Sequence, residues 1–283
     1  MGFCLIFLFS RCNERITYYT IEMAKIWKWV TFSIALLCFG AAVYFWLESK
    51  SISTPLINIL SASETQSVLN NDADHYYDKF HEVDYKVRNV KSKREYLAKI
   101  AKSGCDGDIE VVEKVTDCIE KVHNHLIPKI SETIHGINIH KFLTTKWNIG
   151  FTCDKYYENG LPHTRGDVII LNNKNIQTRT ISEVCKLLIH EKSHVYQKSE
   201  DMTKYLDEHY TEVKRKDYKD TKIPANPDTN DMVYRSKESN EVLEGKYNKK
   251  PKHFRDVKFT QNDHSLEHPF ERIAYQMESL YEV

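Results

Sequence analysis

The sequence predicts an α+β fold with a small mixed sheet and one long motif-bearing helix, preceded by a single N-terminal transmembrane helix. Three observations carry that expectation. An uncharged apolar run lies between residues 29 and 47, and short β-branched and aromatic stretches bounded by turn signals lie between residues 140 and 176. Directly after them, His190-Glu191-Lys192-Ser193-His194 falls on a helical pattern. The 283 residues then divide into an N-terminal segment without an assigned role (1–22), a membrane anchor (23–50), a stalk (51–75) and one globular domain (76–283).

The apolar run from Trp29 to Leu47 is flanked by Lys25 and Lys28 on one side and by Glu48 and Lys50 on the other. About 20 residues of helix cross a hydrocarbon core, and Trp27, Trp29, Tyr44 and Trp46 stand where interfacial aromatics are expected. The run ends in Phe45-Trp46-Leu47 rather than small residues, which favours an uncleaved anchor over a signal peptide. Arg11, Arg15, Lys25 and Lys28 outnumber Glu14 and Glu22 before it. The positive-inside rule therefore expects a single-pass membrane protein with a cytoplasmic N-terminus and a lumenal or exterior domain. Phe3 to Phe9 is too short to span, and Met23 opens a tidier anchor, so Met1 and Met23 both stand as starts.

Composition excludes some classes. Lys and Arg total 40 against 40 Asp and Glu, so no global field draws in nucleic acid. Thirteen histidines favour metal chemistry. The seven cysteines contain no CxxC pair, which argues against cysteine-ligated zinc and a disulfide-dense scaffold. In an exterior domain, Cys105, Cys118 and Cys153 would give one disulfide and one cysteine left over. There is no Asn-x-Ser/Thr sequon, which suits a bacterial envelope or a virus assembled at internal membranes, with a host or virion membrane as the site. Nothing in the composition speaks to oligomeric state.

Residues 51–75 are rich in Ser, Thr and Asn and read as a stalk. Helical spacing of Tyr76, Phe80, Val83, Val87, Val90, Leu97 and Ile100 predicts a helix to Lys102, and a second runs from about Ile109 to His125. The stretches around Trp147 and Asp167 read as two strands joined by a turn. Thr180-Ile181-Ser182-Glu183 is a capping box that opens a helix to about Ser199. Residues 200–262 are polar with weak helical periodicity, and Pro269 marks the start of a last helix, Phe270 to Leu280.

Residues four apart on a helix share a face, so His190 and His194 project together and can hold one metal ion. Glu191 lies one residue round, where it reaches a water without being a ligand. The bland alternative is two surface histidines on an amphipathic helix. A catalytic zinc takes three protein ligands and keeps one position open. Glu200 stands where a metzincin would place its third histidine, so that ligand comes from further along, and Glu271 is the candidate. Glu267, His268 and His264 are reserves, and a first-turn acid at Glu271 is also what a helix dipole favours by itself. Tyr275, His268 and Tyr234 could donate to an oxyanion, although tyrosines so numerous usually pack. His163 either lines the cleft or caps a turn, while Asn226 and Asp228 shape a turn through Asx bonds or hold the substrate rim.

The pairing of HExxH with His268-Pro269-Phe270-Glu271-Arg272-Ile273-Ala274-Tyr275 resembles gluzincin-type zinc metallopeptidases and their zincin-like relatives in bacteria and large DNA viruses. Leu161-Pro162-His163-Thr164-Arg165-Gly166-Asp167 and Ala225-Asn226-Pro227-Asp228-Thr229-Asn230-Asp231 are similar to segments of viral members. The resemblance covers about residues 140–280. It implies a zincin-like domain binding Zn2+ through His190, His194 and Glu271, with Glu191 as general base and a peptide or protein as substrate. One departure is Lys192 and Ser193 at the variable positions, where apolar or small residues are common, which leaves a charge beside the site that is tolerated if Lys192 faces solvent. The expected function is a membrane-anchored zinc metallopeptidase. The alternatives are a structural or envelope protein that keeps a zinc-stabilised fold without turnover, and a binding module whose histidines lie on the surface.

Overall fold

The protein is described by a computed structural model over residues 27–41, 43, 54–213, 223–230 and 232–281. It separates into two units, residues 1–53 and 54–283. In the first, residues 27–41 form an exposed helix, α1. No helix among the described residues is long and apolar enough to cross a membrane, so the expected transmembrane helix is not found there. Of the rest of that expected span, Val43 is helical, and residues 42 and 44–47 lie outside the described residues, as do residues 1–26.

The stalk is a correction. Residues Ile57–Ile59 form β1, and Ala62–Asn71 form α2, which buries Thr65 and Leu69. What looked like linker composition is capping chemistry: Glu64 N–H donates to Ser61 Oγ at 3.3 Å and Ser61 N–H donates back to Glu64 Oε2 at 2.8 Å. The long helix expected from Tyr76 is also broken, into α3 (Glu82–Val87) and α4 (Lys93–Ile100). Phe80 is extended and Asn89 sits in the left-handed region at φ 55°, so the apolar spacing continues while the backbone turns.

After β2 (Gly104–Cys105), α5 (Ile109–Leu126), close to the bounds expected for it, buries Val111, Val115, Ile119 and Val122. A small hairpin of β3 (Thr133–Ile134) and β4 (Ile137–Asn138) leads into α6 (Ile139–Thr144). The main sheet follows with β5 (Trp147–Thr152), β6 (His163–Arg165) and β7 (Val168–Asn172), in the order β1-β5-β7-β6 with β2 also on β5. β5 and β7 are therefore parallel neighbours rather than a hairpin, and the hairpin is β6–β7.

The side-chain alternation of β7 explains why. Ile169 and Leu171 enter the main core, while Val168 and Ile170 enter a second core of Tyr76, Tyr77, Phe80 and Tyr96. A strand covered on both faces shows no apolar-polar alternation, and its pairing partner is set by what covers it.

Next come α7 (Asn173–Thr178) and α8 (Ile181–Ser199), the latter opened by the Thr180–Glu183 capping box as expected. Of residues 200–262, where helical periodicity is weak, the described ones form one short helix and otherwise mostly strands and turns. After α9 (Thr203–His209) they hold β8 (Tyr210–Val213), β9 (Val233–Ser236) and β10 (Val242–Leu243) in one antiparallel sheet, and β11 (Gly245–Tyr247) with β12 (Val257–Phe259) in another. The last helix, α10 (Pro269–Glu278), starts at the predicted proline with His268 as its cap.

Two disulfides replace the single bridge expected. Cys105 pairs with Cys153, and Cys118 pairs with Cys185, a cysteine on α8 that the earlier pairing left out. The second ties α5 to the helix carrying the histidine motif. With sequence separations of 48 and 67, each bridge constrains the unfolded chain by about 4 kcal/mol in the chain-entropy account.

Candidate metal centre

Helical periodicity on α8 sets His190 and His194 side by side, with ring centroids 4.9 Å apart. Glu271 comes from the first turn of α10, two residues past the proline that fixes where that helix begins. Its Oε2 lies 3.3 Å from His190 Nε2 and 3.8 Å from His194 Nε2. One ligand atom from each of the three residues lies within 4.8 Å of the others. Ligands at about 2.0–2.1 Å around a tetrahedral zinc stand about 3.3 Å apart, so the spacing suits such an ion after small side-chain adjustments.

The hydrogen-bond network decides the tautomer of His194. Gln197 Nε2 donates to the Phe270 carbonyl at 3.0 Å, which turns Gln197 Oε1 toward His194 Nδ1 at 2.8 Å. His194 Nδ1 is thus the donor and Nε2 carries a lone pair. That Nε2 is buried and has no hydrogen-bond partner. A buried acceptor left in this way beside a carboxylate and a second imidazole fits a cation.

The surrounding carboxylates draw positive charge, proton or metal ion, to this point. Burial lowers the pKa of His190, but the carboxylates of Glu271 and Glu278 outweigh it and hold the imidazole well above its ordinary value. His190 Nδ1 is 3.4 Å from Glu278 Oε2, within ion-pair range but not aligned as a hydrogen bond. Burial pushes Glu271 upward, and His194 and His190 overcome it to bring the carboxyl down to about 2. A carboxylate held ionised between two imidazoles is a ready ligand.

Glu191 is 3 % exposed and outside that triangle. Thr164 Oγ1, from β6, lies 3.2 Å from its Oε2 and 3.1 Å from its carbonyl oxygen. Burial first, and then the charge of Asp228, raise its pKa to about 8 against the pull of His190. A carboxylate tuned upward in this way accepts a proton near neutral pH. Glu191, His190 and Glu271 line a cavity of about 570 Å³, as do His163, Glu267, His264 and Tyr275, while His194 lies buried behind them.

The reserve residues separate clearly. Burial and the neighbouring Glu271 raise the Glu267 pKa to about 8, and its Oε1 lies 3.3 Å from Asn226 Nδ2. His268 spends both ring nitrogens: Nδ1 accepts from Phe270 N–H at 3.1 Å and Nε2 lies 3.0 Å from Asn230 Oδ1. Burial drives its pKa down to about 3, so it is a neutral cap and not a ligand. Tyr234 accepts from Asn230 Nδ2 at 3.2 Å and is not among the residues lining the cavity. Tyr275 does line it, with its ring 4.6 Å from that of His190 and 38 % of its surface exposed. Burial and then Glu271 raise its pKa, which keeps the phenol a hydrogen-bond donor.

His163 meets both alternatives, since it lines the cavity while bonding the Leu161 carbonyl at 3.0 Å and the Tyr157 hydroxyl at 2.8 Å. Asn226 makes its Asx turn, accepting from Asp228 N–H at 2.8 Å, and also donates to Glu271 Oε1 at 3.1 Å. Lys192 does not face solvent. It is buried, donates to the carbonyls of Thr145 at 2.6 Å and Lys146 at 2.8 Å, and lies 4.5 Å from the centre of the Trp147 ring. Those partners satisfy its charge, while burial lowers its pKa to about 7.

Sequence reading missed Gln197, Thr164 and the support Asn226 gives Glu271. Only Gln197 left a signal: it sits three residues past His194, on the same helical face. Gln197→Leu should weaken zinc binding by about 10–100-fold, read by competition with a chelating dye, because His194 then loses the acceptor that fixes its tautomer. An unchanged affinity would leave the His194–Gln197 bond without a role in the site.

Comparison with protein-family models, curated proteins and solved structures gives no match for this chain.

Proposed function

We propose that this protein is a membrane-anchored, zinc-dependent metallopeptidase with a zincin-like domain. The observation that carries the reading is the unpartnered, buried Nε2 of His194, 3.8 Å from the Glu271 Oε2 that also lies 3.3 Å from His190 Nε2. Two imidazoles and one carboxylate make a set that suits zinc and leaves a fourth position open. A zinc ion held there supplies Lewis acidity toward a substrate carbonyl and an attacking water.

The chain's own groups provide the rest. Glu191, with its raised pKa, takes a proton from the attacking water and returns it to the leaving amine. Thr164 orients that carboxylate from the sheet side. Tyr275 offers a phenolic O–H at the cavity wall, where negative charge develops on the carbonyl oxygen. Gln197 and Asn226 hold His194 and Glu271 in place.

The anchor is residues 29–47, with the N-terminus cytoplasmic and the domain lumenal or exterior. The two disulfides support that side of the membrane, since such bridges persist in oxidising compartments.

Metal analysis of the full chain in detergent should find one zinc per chain. His194→Ala and Glu271→Ala should abolish it without loss of the folded state, and a chelator should stop hydrolysis of a short-peptide library until zinc is returned. A folded chain that takes up no zinc sinks the proposal.

A further inference from the structure

The free edge of β6 borders the candidate site, because Thr164 on that strand touches Glu191. A two-residue turn, Gly166-Asp167, closes the β6–β7 hairpin, which makes Arg165–Val168 a hydrogen-bonded pair and Thr164–Ile169 a non-bonded one. The N–H and C=O of Thr164 therefore point away from the sheet. An edge of this kind is where an extended chain adds as a further strand.

Here that edge is already taken. Thr164 N–H donates to Asp228 Oδ1 at 2.9 Å, and Lys198 Nζ donates to the Thr164 carbonyl at 2.6 Å. Lys198 also pairs with Asp228 Oδ1 at 3.4 Å, so the two caps lock each other. To either side, Pro162 has no N–H to give and Gly166 N–H lies 3.3 Å from Asp74 Oδ2. No outward N–H of this edge is left for an incoming chain.

Asp228 belongs to residues 223–230, which also line the cavity through Pro224, Ala225, Asn226 and Pro227. Asn226 in the same segment donates to Glu271 Oε1 at 3.1 Å, so one short stretch contacts both the sheet edge and the third candidate ligand. The segment is held to the body by side chains. Ala225 N–H donates to Asp84 Oδ1 at 3.1 Å and Lys79 Nζ donates to the Thr229 carbonyl at 3.0 Å. No backbone–backbone hydrogen bond ties residues 223–230 to the rest of the described chain. Asn226 also bonds Glu267, and Asn230 bonds Tyr234 and His268. Every tie of this segment is thus a polar side-chain bond, and among core clusters only Ala225 packs against one, so it can leave without breaking a sheet or helix.

We infer that residues 223–230 form an autoinhibitory strap, which occupies the β6 edge in place of an extended polypeptide substrate and keeps the metal centre latent until it lifts. The inference rests on the peptidase reading for what the edge is meant to receive. Asp228 mimics the acceptor, and Lys198 the donor, that a substrate backbone would present to Thr164. Lifting the strap exposes one N–H and one C=O for pairing and takes Asn226 off Glu271.

The test is binding of fluorescein-labelled, reduced and carboxymethylated α-lactalbumin, an unfolded polypeptide, to the full chain in detergent. Affinity is measured by anisotropy in a Glu191→Gln background, with zinc and without it. Asp228→Gly and Lys198→Met, made separately, should each bind the probe at least about tenfold more tightly than the strap-intact chain. Lys198 is partly exposed near the end of α8, so Lys198→Met carries the test should Asp228→Gly fail to fold. Equal affinity in all three chains, whether they bind or not, overturns the strap. Tighter binding that brings no hydrolysis once Glu191 is restored supports the strap and sinks the peptidase reading. Equal affinity with zinc-dependent hydrolysis of short peptides intact sinks the strap alone.

Discussion

Glu191→Gln should lower zinc-dependent peptide hydrolysis by about two to four orders of magnitude while zinc stays at one per chain. The substitution keeps the shape of the side chain and removes its ability to take a proton. It leaves the three candidate ligands untouched, because Glu191 does not belong to the set of ligand atoms that lie together. Thr164 Oγ1 can still donate to an amide oxygen at the same position, so the packing of α8 against β6 is retained. Activity and zinc that both persist unchanged would remove Glu191 as the base and with it the enzyme reading. Zinc without hydrolysis in every chain, the parent included, would favour a structural protein that keeps its metal.

The parts of this site that are local in sequence were legible in it. His190 and His194 needed only the helical repeat, Thr180 and Glu183 announced the start of their helix, and His268-Pro269 announced the helix bearing Glu271. What the sequence concealed depends on distant partners. Lys192 reads as a surface charge because its two carbonyls and its aromatic face come from residues 145–147. Ser61 and Glu64 read as linker because their capping box lies in a stretch of small polar residues. The parallel pairing of β5 with β7 follows from two cores meeting on opposite faces of one strand, a fact that no window of a few residues contains. Asn226 and Asp228 carried a turn signal that holds for Asn226, yet their contacts to Glu271 and Thr164 cross 45 and 64 residues.

The second large effect lies outside the metal centre, in the ion network beneath the cavity. Arg88→Met should destabilise the domain by about 3–5 kcal/mol, because it strands two buried carboxylates. The Arg88 side chain is 5 % exposed, bonds Glu158 through Nε at 3.0 Å and Nη2 at 2.8 Å, and reaches Asp84 Oδ1 at 3.4 Å. It also donates to the Tyr76 hydroxyl at 2.9 Å and lies 4.4 Å from the centre of the Phe80 ring. Methionine restores the apolar contact but none of the charge. Burial pushes Glu158 upward, yet the charge and hydrogen bonds of Arg88, with the bond from Tyr96, hold its pKa below the usual 4.5. In the parent, Glu158 therefore contributes stability that is present above its unfolded value and is lost as pH falls through the folded one. Without Arg88, burial wins and the folded pKa rises, so the variant loses stability as pH climbs above the unfolded value. The two curves must converge on acidification. Urea midpoints at about pH 7 and about pH 4 measure the gap, which should shrink toward the lower pH. Adding Glu158→Gln to Arg88→Met should recover part of the loss at neutral pH, since the carboxylate left unpaired is then uncharged. A gap that is equal at both pH values would mean that Glu158 is not the charge Arg88 compensates, and would shift the cost to Asp84 or to packing against Phe80.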